Sequence, residues 1–184
     1  MHEVRGGSKL RFVLVATAVL IFAYGTTLVG KNPHFAAVCS MGLLLLLSGF
    51  VFSPPPGDEA VDPIVVGTGL VALIFVHMPV ALLGLRIYPL SVSELELKAF
   101  LFAQAVAEES FFANYLLRSM GRSISAVLST AIIFTVFHWA VYLSISSVVL
   151  LVVFLSRVVL NIVFLRGGFL SSSVCHALVN LFAG

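Results

Sequence analysis

Ionisable and strongly polar side chains recur in stretches of this chain that otherwise have the composition of apolar helix. The most conspicuous are two adjacent carboxylates, Glu108 and Glu109, within "AVAEESFFANYLL" (residues 105–117). A charge in hydrocarbon costs roughly 3 kcal/mol or more, so such residues face protein or water and indicate a functional site. The full set of polar residues expected at membrane depth is His77, Gln104, Glu108, Glu109, Asn114, His138, Arg157, Asn161, His176 and Asn180.

Helical spacing decides which of these side chains can point at one another. Residues four apart share a helix face, so His176 and Asn180 in "HALVN" are predicted to point the same way. Neighbouring residues on a helix point about 100° apart, so Glu108 and Glu109 cannot both address one partner. We therefore expect one glutamate to face the site and the other to have a structural partner.

Carboxylates and imidazoles in this pattern can do three kinds of chemistry. They can activate a water molecule as general bases, relay protons across the membrane, or bind zinc with one position left open for water. The three zinc ligands would be Glu108, His138 and His176. Because the sequence has no HExxH helix and no other local ligand pair, we expect neither a metal nor a cofactor.

Composition indicates that these residues lie in membrane helices. The 184 residues are 60% hydrophobic and 10% charged, with a mean hydropathy of +1.15, against roughly 45–50% apolar residues in soluble domains. The net charge of +2 and the absence of a Lys/Arg tract exclude nucleic acid as an expected partner. The expected surroundings are membrane lipid.

Nearly uncharged segments of the length that crosses a bilayer predict an all-α bundle of about seven transmembrane helices. The predicted spans are 12–29, 35–52, 64–85, 94–117, 124–143, 146–165 and 169–183. The acidic, proline-rich stretch "FSPPPGDEAVDP" is the expected hinge between halves. We therefore divide the chain into a three-helix scaffold over 1–92 and a four-helix core over 93–184 that carries nearly all the polar residues.

The basic residues of the loops predict the orientation in the membrane. With the amino terminus in the cytosol, six of nine loop Lys and Arg residues lie inside, which favours this topology by the positive-inside rule. The six are Arg5, Lys9, Arg11, Arg118, Arg122 and Arg166, and the other three are Lys31, Arg86 and Lys98. The expected location is the cell membrane, crossed several times.

Three short elements of the core resemble the motifs of a known family. "EESFFA" (108–113), "FTVFH" (134–138) and "HALVN" (176–180) are similar, in the same order, to the EExxxR, FxxxH and HxxxN motifs of the CAAX-protease and bacteriocin-processing family. This family of intramembrane glutamate proteases includes the Rce1-type CAAX prenyl proteases. The resemblance implies a metal-independent endopeptidase whose substrate is a peptide or a lipidated protein C-terminus.

The resemblance also implies a role for each motif residue. Glu108 would be the general base, His138 would orient the attacking water, and His176 with Asn180 would hold the oxyanion. The family's arginine falls at Ala113 in this sequence, and we hypothesise that Arg157 supplies the missing positive charge to the glutamates. Gln104, one turn before Glu108, is expected to hold its carboxylate by a hydrogen bond.

Two other functions fit the same residues. The missing motif arginine favours a non-catalytic bacteriocin-immunity or peptide-binding membrane protein on the same scaffold, and the Glu/His set could serve a proton-coupled carrier. A carrier is disfavoured because residues 1–92 contain no second polar cluster. Of the remaining polar residues, Asn161 is expected to pair with Arg157, and His77 is expected to bridge neighbouring helices.

Overall fold

The protein is described by a computed structural model over residues 7–30, 33–51, 60–85, 94–143 and 145–183. All regular elements in this part of the chain are helices, which confirms the predicted all-α class. They are α1 (Gly7–Gly30), α2 (Pro33–Val51), α3 (Pro63–Leu82), α4 (Glu94–Glu108), a π-helix (Glu109–Leu117), α5 (Arg118–Met120), α6 (Ile124–Tyr142) and α7 (Ser147–Ala183). Arg5, Lys31 and Arg86, which contributed to the predicted orientation, lie outside the described residues.

Three of the described helices are long and apolar enough to cross a membrane, and they are Pro63–Leu82, Ile124–Tyr142 and Ser147–Leu181. Shorter apolar helices cover Leu14–Gly30 and Phe35–Leu44. The count of seven spans therefore stays a prediction. Large apolar side chains on the outside of the bundle, such as Val29 and Ile124, are 80% exposed or more, as expected of a surface that faces lipid.

Helix α7 contains a break where the sequence predicts the boundary between two spans. Gly168 has φ 75° and ψ −173°, a backbone conformation that residues with a side chain rarely adopt. The break separates a first segment that carries Arg157 and Asn161 from a last segment that carries His176 and Asn180. The two segments can therefore present their polar side chains from different directions.

The rod formed by α4, the π-helix and α5 changes its hydrogen-bond pattern at the two glutamates. Glu108 is the last residue of α4, and Glu109 is the first of the nine-residue π-helix. π-Helical turns are rare and occur frequently at functional sites. The sequence predicts one uninterrupted helix over 94–117, and nothing in its apolar pattern signals the change.

Helix α3 contacts both segments of α7. Asp62 caps the start of α3, because its Oδ1 accepts from the backbone N–H groups of Ile64 (2.9 Å) and Val65 (3.1 Å). The Asp62 backbone N–H donates to Ser171 Oγ at 2.9 Å. Two turns further along, Gly69 lies so close to α7 that an added Cβ would be 2.6 Å from Val163 Cγ2.

This close approach predicts a difference between two glycines of the same helix. Gly69→Ala should lower the unfolding free energy by about 1–3 kcal/mol, because the new methyl group overlaps Val163 and Cys175. Gly67→Ala is the matched control, since nothing lies within 4 Å of its added Cβ. Thermal unfolding of the two purified variants tests this, and equal melting temperatures would contradict the close packing.

Candidate active site

Side chains from α4, the π-helix, α6 and both segments of α7 meet in the interior of the bundle. Each is at most 5% exposed. They are Gln104, Glu108, Glu109, His138, Arg157, His176 and Asn180, which are the seven site residues expected from the sequence. The fold thus brings together groups that are up to 76 positions apart in the chain, from Gln104 to Asn180.

Glu108 lies between two histidines. Its Oε1 accepts a 2.6 Å hydrogen bond from Gln104 Nε2, the contact that the sequence predicts. The same oxygen is 3.7 Å from His138 Nε2, and Oε2 is 3.6 Å from His176 Nε2. Both distances exceed a direct hydrogen bond, and Oε2 has no hydrogen-bond partner among the described residues. The carboxylate therefore has acceptor capacity left in the direction of both imidazoles.

Glu109 is held by an arginine on α7. Arg157 Nη1 is 2.6 Å from Glu109 Oε1 and Nη2 is 3.4 Å from Oε2, while neither residue is exposed. Arg157 Nε donates to Asn161 Oδ1 at 2.9 Å, and Asn161 Nδ2 donates to the Val127 carbonyl at 3.0 Å. The pairing of Arg157 with Asn161 confirms the prediction for Asn161. A guanidinium thus reaches the glutamate pair from α7, whereas Ala113 is buried in an apolar cluster.

The guanidinium of Arg157 also lies near two aromatic rings. Its Cζ is 5.1 Å from the Phe134 ring centre and 5.9 Å from that of Phe112, within the range of a cation–π contact. A buried charge with a bidentate carboxylate, an amide and two rings around it has most of its lost hydration replaced. Arg157 is accordingly a fixed part of the site.

One hydrogen bond of His138 indicates which of its two ring nitrogens carries the proton. Nδ1 is 3.1 Å from the Phe134 carbonyl, and a carbonyl can only accept, so Nδ1 carries the proton of the neutral ring. Nε2 then has a free electron pair directed at the Glu108 side. The Phe134 ring lies against the imidazole, with ring centres 4.3 Å apart, one turn before His138 as the spacing predicts.

His176 lies close to both glutamates, a proximity that spacing within one helix cannot predict. Its Nδ1 is 2.9 Å from Glu109 Oε1, and its Nε2 is 3.6 Å from Glu108 Oε2. Asn180 lies one turn later, and its Nδ2 is 3.4 Å from the Leu101 carbonyl. His176 therefore lies between the two carboxylates, hydrogen-bonded to Glu109 and 3.6 Å from Glu108.

A small cavity, here called the histidine cavity, opens beside this cluster. Side chains of α3, α6 and α7 line it, among them His77, His138, Ser156, His176 and Asn180. His77 Nδ1 contacts the Leu73 carbonyl of its own helix at 2.8 Å, and the expectation that His77 bridges neighbouring helices stays a prediction. The signal that could have placed His77 at the site was its membrane depth, which it shares with the other polar residues.

The carboxylates and imidazoles of the site are the donor types that could bind a metal ion. Among the residues that the structure describes, no three His, Cys, Asp or Glu side chains are arranged to hold a metal ion. The three candidate zinc ligands come from three separate helices, and each of the three already has another protein contact, through Gln104, the Phe134 carbonyl or Glu109. The geometry gives the zinc alternative no support.

Comparison with known proteins places this site in a family. The family model described as "Type II CAAX prenyl endopeptidase Rce1-like" matches residues 93–182, the part of the chain that contains Glu108, His138, His176 and Asn180. Comparisons with curated proteins and with solved structures gave no match. The apolar helices and the family together identify an integral membrane protein. Residues 93–182 of this chain are therefore similar to Rce1-like type II CAAX prenyl endopeptidases, and this similarity implies a protease.

Proposed function

We propose that this protein is an intramembrane, metal-independent glutamate endopeptidase that cleaves prenylated CAAX-type C-termini by activating water. Glu108 is the general base, His138 orients the water, and His176 with Asn180 binds the oxyanion. Glu109, Arg157 and Gln104 position these groups. The proposed architecture is a polytopic bundle with a cytosolic amino terminus, in which residues 93–184 form the catalytic core.

The observation that carries the proposal is the position of Glu108 between two imidazole nitrogens. At 3.7 Å, Glu108 Oε1 and His138 Nε2 are too far apart to bond directly. A water molecule within hydrogen-bond distance of both atoms completes a triangle with them. Both atoms are acceptors toward it, so the water donates its two protons to them and its oxygen lone pair is free to attack.

The reaction then follows from the groups that surround this water. The water oxygen attacks the scissile carbonyl carbon, and one water proton passes to Glu108. The carbonyl oxygen becomes an oxyanion, which takes hydrogen bonds from His176 Nε2 and Asn180 Nδ2. When the C–N bond breaks, Glu108 gives its proton to the departing amine. The products are a carboxylic acid and an amine, and the enzyme returns to its first state.

The oxyanion role assigns a charge to His176. Its Nδ1 already donates to Glu109, so a second donation from Nε2 requires the doubly protonated ring. The cluster then contains two carboxylates, Glu108 and Glu109, and two cations, Arg157 and His176. A buried cluster of zero net charge avoids the cost of an uncompensated charge in the bilayer.

Cleavage of a quenched fluorescent CAAX peptide by the purified protein tests the proposal. We expect wild-type protein to cleave the prenylated peptide, with activity that resists a chelator. His138→Ala should lower kcat by about 10²–10⁴-fold, the usual contribution of a group that directs proton transfer. The unprenylated peptide, tested alongside, reports whether the lipid group is recognised.

The outcomes separate the alternatives. Chelator-sensitive activity would contradict the metal-independent mechanism and favour the zinc set Glu108, His138 and His176. Full activity in His138→Ala would contradict the proposal that His138 orients the attacking water. Absence of cleavage by folded wild-type protein on both peptides would contradict the prenyl endopeptidase proposal and favour the peptide-binding alternative.

A further inference from the structure

A second small cavity lies on the α2 side of Glu108, away from the histidine cavity. Side chains of α2, α4 and α6 line this α2 cavity, among them Ser40, Met41, Gln104, Glu108, Phe137 and Tyr142. It has room for about one water molecule. The walls are otherwise apolar, so the few polar atoms in it are conspicuous.

Besides Glu108 Oε2, two buried polar atoms on residues that line the α2 cavity lack a hydrogen-bond partner among the described residues. They are Ser40 Oγ, on a residue 2% exposed, and Gln104 Oε1, on a residue 5% exposed. At least nine-tenths of buried polar groups in proteins are hydrogen-bonded to protein or to water. Two such atoms from different helices facing one space indicate a shared partner in that space.

The chemistry of the lining identifies this partner as water. Ser40 Oγ and the Tyr142 hydroxyl can donate or accept, Gln104 Oε1 can only accept, and the Glu108 carboxylate adds a further acceptor. Water is both donor and acceptor and fits two to four such contacts in a space of this size. A cation would need more oxygen ligands than the cavity provides, and an apolar ligand would leave the polar atoms unsatisfied.

We infer that the α2 cavity is a binding site for water and supplies the co-substrate of hydrolysis to Glu108. This rests on the proposed function, since each cleaved peptide bond consumes one water. Gln104 connects the two sites, because its Nε2 donates to Glu108 while its Oε1 faces the cavity. Ser40, in the half of the chain outside the family match, becomes a positioning residue.

Radiolytic hydroxyl labelling with mass spectrometry tests the water site without reference to activity. X-ray pulses generate hydroxyl radicals from bound water, which label the reactive side chains beside it, here Met41 and Tyr142. We expect both to be labelled in the wild-type protein, with Met120, exposed at the end of α5, as the internal reference. Ser40→Leu, which fills the cavity with apolar atoms, should reduce the labelling of both severalfold.

Two further variants control for folding and for added volume. Ala37→Val fills the same cavity from the neighbouring turn of α2 and should reproduce the loss if Ser40→Leu does not fold. Val38→Leu adds a methylene to the same helix on a side chain that is 41% exposed and should change nothing. In the peptide assay, the filled variants should lower kcat roughly tenfold or more with KM unchanged.

The two readouts distinguish the outcomes. Absence of labelling at Met41 and Tyr142 in the wild type, or equal labelling in the filled variants, would overturn the water site whatever the activity. Loss of labelling in the filled variants with unchanged kcat would overturn the role of the α2 cavity in supplying water, and the proposed protease function would still stand. Failure of the wild type to cleave any peptide would count against the proposed function, and the labelling would still decide the water site.

Discussion

Glu108→Gln should abolish proteolysis while leaving the fold intact. The amide has the shape of the carboxylate and keeps an oxygen that can accept from Gln104 Nε2, now 2.6 Å from Glu108 Oε1. It cannot take a proton from water, so we expect kcat to fall by about 10²–10⁴-fold. The measurement is the rate of cleavage of the prenylated peptide, with thermal unfolding of the same preparation.

A polar neighbour provides the matched control for this variant. Ser110→Ala alters a partly buried side chain two positions further along the rod and should retain wild-type activity. A Glu108→Gln variant that remained active would show that another group activates the water. Inactivity accompanied by a lower melting temperature would point to a structural role for Glu108 instead.

Arg157→Met should cause the largest loss of stability. It removes the cation from Glu109 and leaves a fully buried carboxylate with the His176 imidazole beside it. Removing one partner of a buried ion pair costs about 3–5 kcal/mol, because the other charge is left uncompensated. Chemical or thermal unfolding in detergent measures the loss.

The double variant tests whether the uncompensated charge is the cause. Arg157→Met combined with Glu109→Gln removes both charges, and we expect it to recover much of the stability that Arg157→Met loses. Arg166→Met, an exposed arginine of the same helix, should change stability by no more than about 0.5 kcal/mol. A double variant that is less stable than Arg157→Met would contradict the ion-pair explanation.

The sequence predicted the members of the site better than their arrangement. Membrane depth selected ten polar residues, because such groups are few in apolar helices, and the resemblance of three motifs narrowed the set to Glu108, His138, His176 and Asn180. Helical spacing required different partners for the two glutamates, and Arg157 is found at Glu109. Spacing within one helix cannot give the distances between helices, however, so the position of His176 close to both carboxylates could not be predicted.

The parts that sequence reasoning missed depend on tertiary packing. The change to a π-helix at Glu109 leaves no mark on the apolar pattern, which is helical on both sides of it. The hydroxyl of Ser40 looked unremarkable, since serine is common in membrane helices, and His77 was assigned only to packing. Both acquire significance because α2 and α3 bring them to cavities whose other walls come from distant segments.

The attachment of α3 to the end of α7 constrains how the interior can open. Asp62 bonds to Ser171, and Gly69 packs against Val163 and Cys175, so α3 contacts both segments of α7 over about two turns. Val163 precedes the break at Gly168 and Cys175 follows it. The last α7 segment therefore cannot move away from the first without breaking one of the two contacts at Gly69.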